Sequence, residues 1–203
     1  MSDGIDEDKR ATLRRFAAVS ASTPLAVGTA AADDPAGDSD VREAILGYLA
    51  TTPGAHFSKL RDDLRLGTGE TQHHLRRLLE AEAVEAREDG EYRRFFPVGR
   101  FSSFEQVALG YLRRSTPRGM ALELLADPTA TGADLAAALE VSRSTVSKHA
   151  ARLAEAGLLN REGGYTLCEP ELTLRLLVQY ADSFGPEAVA FAAEADEYVS
   201  YDP

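Results

Sequence analysis

The stretch SRSTVSKHAARLAEAGLL, residues 142–159, decides how the rest of the chain is read. At helical spacing Val146, Ala150 and Leu153 fall on one face. Arg143, Ser144, Thr145, Ser147, Lys148 and Arg152 occupy the remainder. A helix of this kind packs one side on a core and offers the other to something charged. Three basic residues against one acid, Glu155, is a local excess in a chain of net charge -11.

A fainter copy lies 75 residues earlier. Leu60 and Leu135, Leu64 and Leu139, His74 and His149, Arg77 and Arg152, Leu78 and Leu153, and Glu80 and Glu155 keep that separation. Two copies are too few for a solenoid and make tandem domains instead. In the first copy, DVREAILGYLATTPG (40–54) reads as a helix with Asp40 as N-cap and a Pro-Gly stop. HFSKLRDDLRL (56–66) is a second short helix and GTGETQHHLRRLLEAEAV (67–84) a third. VEAREDGEYRRFFPV (84–98) then reads as two strands around Asp89-Gly90.

The second copy follows the same order. RGMALELLADP (118–128), TGADLAAALEV (131–141) and the opening stretch give three helices. LLNREGGYTL (158–167) gives a shorter hairpin turning at Gly163-Gly164. Helix, short helix, tight turn, longer helix and hairpin is the plan of the winged helix-turn-helix, whose third helix is presented to the DNA major groove. The expected fold class is mainly α with small β-hairpin wings. It divides into a flexible segment over 1–40 with at most a short helix, winged helices over 41–98 and 117–168, and a linker helix over 102–115. C-terminal helices and an acidic tail complete it over 170–203.

LEVSRSTVSKHAARLAEAGLLNREGGYTL (139–167) resembles the recognition helix and wing of archaeal and bacterial MarR/ArsR-like winged-helix regulators. PGAHFSKLRDDLRLGTGETQHHLRRLLEAEAV (53–84) resembles a related archaeal form with a Gln-X-His-Leu core. Over about 40–180 the chain is similar to haloarchaeal transcriptional regulators with two winged helices. The resemblance implies double-stranded DNA as partner. Two-fold operator recognition favours a homodimer, and with no nucleophile–base arrangement in the sequence no enzymatic activity is expected, nor a cofactor or metal. On that reading Arg143, Ser144, Thr145, Ser147 and Lys148 face base edges, while Arg152 and Arg161 meet backbone phosphate. The first copy offers Thr68, Gly69, Thr71, Gln72, His73 and Arg76 on its helix and Arg93 and Arg94 on its wing. It departs from the second in carrying Glu70, four acids around the wing arginines, and Glu82 where the second copy has Gly157. The second copy is therefore the expected main reader, with the first assisting, dimerising or binding a partner. An interaction module that no longer reads DNA is the competing reading, fed by the acidic charge and that first copy.

Of 22 basic residues only Lys9, Lys59 and Lys148 are lysine, and 33 residues are Asp or Glu. That balance resembles the proteomes of salt-accumulating archaea, and a GC-rich genome gives the same bias. No run of 18 apolar residues exists to span a membrane. The single cysteine, Cys168, fits a reducing cytoplasm and reads as a half-buried strand residue. LRRFAAVSASTPLAVGTAA (13–31) has the paired arginines of an export signal, but Ser, Thr and Pro break its apolar stretch. Adjacent His73 and His74 diverge on a helix, so they cannot jointly hold a metal. GTGET (67–71) lacks the Lys-Ser/Thr of a phosphate loop. Leu172, Leu176, Leu177, Tyr180, Ala181 and Phe184 form a stripe suited either to the second domain's core or to a homodimer seam. The stripe from Phe104 to Leu112 carries the same two readings.

Overall fold

The 75-residue register of the sequence recurs in the backbone of a computed structural model, which describes residues 3–22 and 36–195. Helices α3 (Phe57–Asp63) and α4 (Thr68–Glu80) correspond end for end with α7 (Gly132–Ala138) and α8 (Arg143–Glu155). The turns between them match as well. Arg65 and Glu140 both take left-handed backbone, at φ 54° and 52°. Each is followed by an amide that reaches back five residues, Leu66 to the Arg61 carbonyl (2.9 Å) and Val141 to the Ala136 carbonyl (3.0 Å). This is the Schellman closure of a helix end, which normally favours glycine at the left-handed position. The ends of α4 and α8 close the same way, with Glu82 and Gly157 left-handed and the amides of Ala83 and Leu158 bonded to the Leu78 and Leu153 carbonyls.

The chain forms two units, Met1–Phe101 and Ser102–Pro203. In the first, α1 (Asp3–Ser22) packs along α2 (Ala36–Thr51), followed by β1 (Ala55–His56), α3 and α4. Strands β2 (Val84–Asp89) and β3 (Tyr92–Pro97) form the wing, with Gly90 supplying positive φ at its turn. The sheet order is β1-β3-β2, antiparallel throughout, with Ala55 opposite Phe95 and Val84 opposite Pro97. Ile45, Leu49, Leu60, Leu64, Leu75, Leu78, Val84 and Phe95 fill its core.

Two expectations change here. Residues 1–40 were expected to be a flexible segment with a possible short helix, yet α1 is twenty residues long and docked: Leu13 is buried and the Phe16 ring meets Tyr48 edge-on at 5.3 Å. Burial of those two apolar side chains is what a short isolated helix would lack. Asp40 does not cap α2, which begins four residues earlier at Ala36. The later part of that segment, residues 23–35, lies outside the described residues, as does the acidic tail beyond residue 195.

The second unit contains α5 (Ser103–Leu112), α6 (Ser115–Ala126), α7, α8 and a wing of β4 (Leu159–Asn160) and β5 (Thr166–Leu167). It closes with α9 (Pro170–Gln179), α10 (Ala181–Phe184) and α11 (Pro186–Ala193). Helix α5, expected as a linker, belongs to this unit and packs on α6 and α9. Ser102 caps it, accepting from the Glu105 amide while the Glu105 carboxylate accepts from the Ser102 amide. The stripe from Leu172 to Phe184 turns inward: Leu176, Leu177, Tyr180, Ala181 and Phe184 are all buried within the unit. Its apolar face therefore completes this core, and of the two readings of the stripe the first describes the structure. The helix that carries this stripe breaks after Gln179, and left-handed Gly185 (φ 115°) precedes Pro186 at the start of α11. Cys168 follows β5 and is exposed. Among the described residues no helix is long and apolar enough to cross a membrane.

Candidate nucleic-acid interface

Helix α8 begins on a hydroxyl cap. The Ser142 Oγ accepts from the Thr145 amide (3.1 Å) and lies 2.7 Å from the Ser144 hydroxyl and 2.9 Å from the Thr145 hydroxyl. Val146, Ala150 and Leu153 are buried, which fixes the rotation of the helix about its axis. Arg143, Ser144, Ser147, Lys148 and Arg152 are consequently exposed, and Thr145 is half-buried beside the cap. Ser144, Lys148 and Arg152 follow one another at four-residue spacing and form one ridge, with Arg143 and Ser147 on the next. The ridges are short polar or cationic side chains on a rigid helix, the groups that hydrogen-bond to base edges and phosphates.

The local field around α8 is mixed at its start and cationic further along. Asp134 in α7 has its carboxyl held below the ordinary value by the Thr131 hydroxyl, then by the Thr131 amide, and to a lesser degree by the charge of Arg143. Arg143 thus has an acid nearby that sequence order alone does not reveal. At mid-helix the His149 imidazole is pushed below its ordinary pKa by burial, and further by the charges of Arg152, Lys148 and Arg114. Arg161 is exposed on the wing, where it lines a polar groove with Thr129, Thr131, Tyr165 and Thr166.

Helix α4 presents a different face. Thr68, Gly69, Gln72, His73 and Arg76 are exposed, and Arg76 lies 3.8 Å from Glu80. Its first turn is closed by Glu70, whose carboxylate accepts from the Gly67 amide (3.1 Å) and from both sides meets Lys9 Nζ at 2.9 Å. The two helices so divide the capping device between them: α8 has the capping hydroxyl, α4 the returning carboxylate. Next to this contact, Asp8 and Arg65 pair at 2.9 Å. Lys9 and Asp8 both come from α1, which therefore lies against the start of α4.

Two of the expected contacts are withdrawn by burial. Thr71 is fully enclosed and its hydroxyl donates to the Gly67 carbonyl (2.9 Å). It occupies the position of Val146 in the other copy, a core site with nearly the same side-chain shape, so the repeat register itself carried the signal. Arg94 is 3% exposed. Its guanidinium pairs with Asp89, donates to the Gly54 carbonyl (3.0 Å) and lies over the Tyr92 ring, clasping the wing to the turn before β1. Arg93 is exposed on the same strand, 3.8 Å from Glu88. Sequence reasoning also left out Arg77, exposed on α4 at the position of Arg152.

The histidines separate as their spacing required. His73 is exposed, whereas His74 is buried with its pKa lowered by that burial, opposed in part by Asp38. His56 caps α3 through Nδ1 and stacks on Tyr92.

Helix α3 or α7, a Schellman turn and an exposed helix therefore occur twice in matching geometry, each time followed by a hairpin. Residues 39–109 match a family described as an N-terminal helix-turn-helix domain, and residues 118–164 match the MarR family. The chain is a tandem winged helix-turn-helix protein. No curated protein and no solved structure matches it significantly. Both matched domains of this tandem winged helix-turn-helix protein are of the DNA-binding regulator type, a type whose members are typically not enzymes. The winged helix also names what the elements are for: α4 and α8 stand as the third helices, and the β2–β3 and β4–β5 hairpins as the wings.

Proposed function

We propose that this protein is a sequence-specific transcription regulator in which the second winged helix supplies most of the base reading. The observation that carries the reading is the exposed set Arg143, Ser144, Ser147, Lys148 and Arg152 on a helix whose opposite face is locked into a core. Thr145 joins that set at the cap, and Arg161 holds backbone from the wing. The first winged helix plays the smaller part: Thr68, Gly69, Gln72, His73, Arg76 and Arg93 remain as its contacts, with Glu70 neutralised by Lys9 instead of facing phosphate. A two-fold operator calls for a homodimer, which light scattering at micromolar protein tests directly. The arginine-rich, lysine-poor acidic composition supports a salt-rich cytoplasm as the working medium.

In concentrated salt the counterion-release drive is weak, so base contacts carry a larger share of binding than in a basic regulator. Fluorescence anisotropy on an operator recovered by genome-wide occupancy mapping tests this. Arg143→Ala should cost on the order of 1–3 kcal/mol and relax the preference at one base position. Arg161→Ala should weaken all duplexes about equally, and Thr68→Ala or Gln72→Ala should matter less than Arg143→Ala. If Arg143→Ala changes neither affinity nor preference, α8 does not read DNA, and a winged-helix interaction module becomes the reading to test.

A further inference from the structure

We propose that the second unit seats a DNA backbone phosphate in a groove between its wing and the start of α7, a place that a strand fills in the first unit. The inference rests on the DNA reading above and adds Tyr165 and Thr166 to it. The two wings start in register: Val84 lies opposite Pro97, and Leu159, 75 residues on, lies opposite Leu167. Counting back along the returning strands matches Phe95 with Tyr165 and Arg94 with Gly164. In the first unit Ala55 lies opposite Phe95, and Arg94 donates to the Gly54 carbonyl at 3.0 Å. Strand β1 and a guanidinium so close that wing onto the chain before α3. Ala130 and Thr131 stand where Ala55 and His56 do, yet among the described residues β4 and β5 form a sheet of two strands. Gly164 has no side chain to replace Arg94.

What remains is an open groove of about 570 Å³, lined by residues 128–132 on one side and by Arg161 and residues 163–166 on the other. The Tyr165 ring lies against the start of α7, where a Cβ on Gly132 would come within 3.1 Å of it. Arg161 is the one charged residue of the lining. Asp127 and Asp134 lie outside it, each accepting from the amide and hydroxyl of a loop threonine, Thr129 and Thr131. Those two hydroxyls are thereby engaged. The Arg161 guanidinium and the Tyr165 and Thr166 hydroxyls have no hydrogen-bond partner among the described residues and remain as donors. A guanidinium and two hydroxyls along a groove without an acid suit an oxyanion. An added peptide strand would need apolar pockets for alternate side chains, and here Pro128 and Ala130 are the only apolar side chains. With α8 in the major groove, the oxyanion beside the wing is a backbone phosphodiester. No base edge is involved, so the contact adds affinity and register without sequence preference. The closed wing of the first unit has no such seat, which accords with the smaller part given to that copy.

The test uses the full chain, with the mapped operator and a mixed-sequence duplex of equal length, titrated by anisotropy across a salt series. Tyr165→Phe keeps the ring against Gly132 and removes only the hydroxyl. It should weaken both duplexes several-fold and equally, with the slope of log K against log salt unchanged because no charge is lost. Thr166→Val, which keeps the branched shape of the strand residue, should act the same way. Arg161→Ala should make that slope shallower by about 0.9, the loss of one phosphate contact. Because Tyr165 and Arg161 hold one phosphate, their double variant should lose less than the product of the separate losses. A fully multiplicative loss would overturn the shared seat. Calorimetric titration with inorganic phosphate in the absence of DNA separates the two sources of the anion. Saturable phosphate binding that Tyr165→Phe abolishes, with duplex affinity untouched, would assign the groove to a free phosphorylated ligand and overturn this proposal. Duplex affinity unchanged in Tyr165→Phe and Thr166→Val, with Arg143→Ala still weakened, would overturn it and leave the DNA reading standing. Unchanged binding in all of these variants overturns the reading and the proposal together.

Discussion

Glu82 and Gly157 hold the same left-handed backbone at the same point of the two copies, with φ of 53° and 73°. Only one of them is the residue that geometry favours. A non-glycine residue there costs roughly 1–2 kcal/mol of backbone strain, against which glycine brings greater freedom to the unfolded chain. Gly157→Ala should therefore destabilise the second unit by about 1 kcal/mol, since open space around it removes any packing objection. Glu82→Gly should leave the first unit as stable or raise it by about 0.5 kcal/mol. Urea denaturation of the two variants checks the opposite signs.

The Lys9–Glu70 contact makes the docking of α1 depend on pH. Burial alone would raise the Glu70 pKa, but the Lys9 bond, the Gly67 amide and the Lys9 charge together bring it below 4.5. A carboxylate with a depressed folded pKa stabilises the fold above its unfolded value, and that contribution is lost as pH falls through the folded one. Lys9→Ala should raise the Glu70 pKa and cost about 0.2–1 kcal/mol at neutral pH, with the difference vanishing in acid. Carboxyl NMR titration of Glu70 reads the shift. An unmoved Glu70 would mean that α1 does not hold this helix start.

The buried His74 and half-buried His149 imidazoles predict a second pH response, at higher pH. His74 and His149 both have folded pKa values below 6.5, each primarily through burial. Their neutral forms support the fold fully above 6.5, and that support falls away as pH drops toward the folded values, because the unfolded chain binds the protons more tightly. The urea midpoint should fall between about pH 7.5 and about pH 5.5, and His149→Gln should flatten part of that slope. An equally steep slope in the variant would remove His149 from this account.

Arg94 and Arg93 adjoin in sequence and should separate in behaviour. Arg94→Ala removes a buried guanidinium from Asp89 and the Gly54 carbonyl, so it should destabilise the first unit by about 2–4 kcal/mol. Arg93→Ala, on the exposed side of the same strand, should change stability by less than about 0.5 kcal/mol. Hydrogen exchange across β2 and β3 would show the wing opening in the first variant alone.

The core of each copy was legible in the sequence because apolar spacing and the 75-residue register repeat the same constraint. Val146, Ala150 and Leu153 are buried as their spacing required. What the sequence concealed depends on contacts made at a distance. The docking of α1 rests on Phe16, Lys9 and Asp8 meeting residues at least thirty positions away, and nothing local marks those partners. Strand β1 is two residues long, too short for an alternation to register. Arg94 reads as a wing cation from composition, and its burial follows from β1 and β2 flanking β3. Thr71 stands where the other copy has Val146, and a side chain of nearly that shape is buried on the same helix face with its hydroxyl bonded to the Gly67 carbonyl.

Because α4 and α8 begin, end and turn at corresponding residues, each is a socket of one shape carrying a different set of side chains. Specificity should therefore be portable. Replacing Thr68→Arg, Gly69→Ser, Gln72→Ser and His73→Lys would put the exposed residues of α8 onto α4 without touching Thr71, His74, Leu75 or Leu78, which hold that helix to its core. A chain altered this way should prefer duplexes bearing two copies of the second domain's half-site. The spacing at which they bind best would then report, in base pairs, how far apart the two helices read.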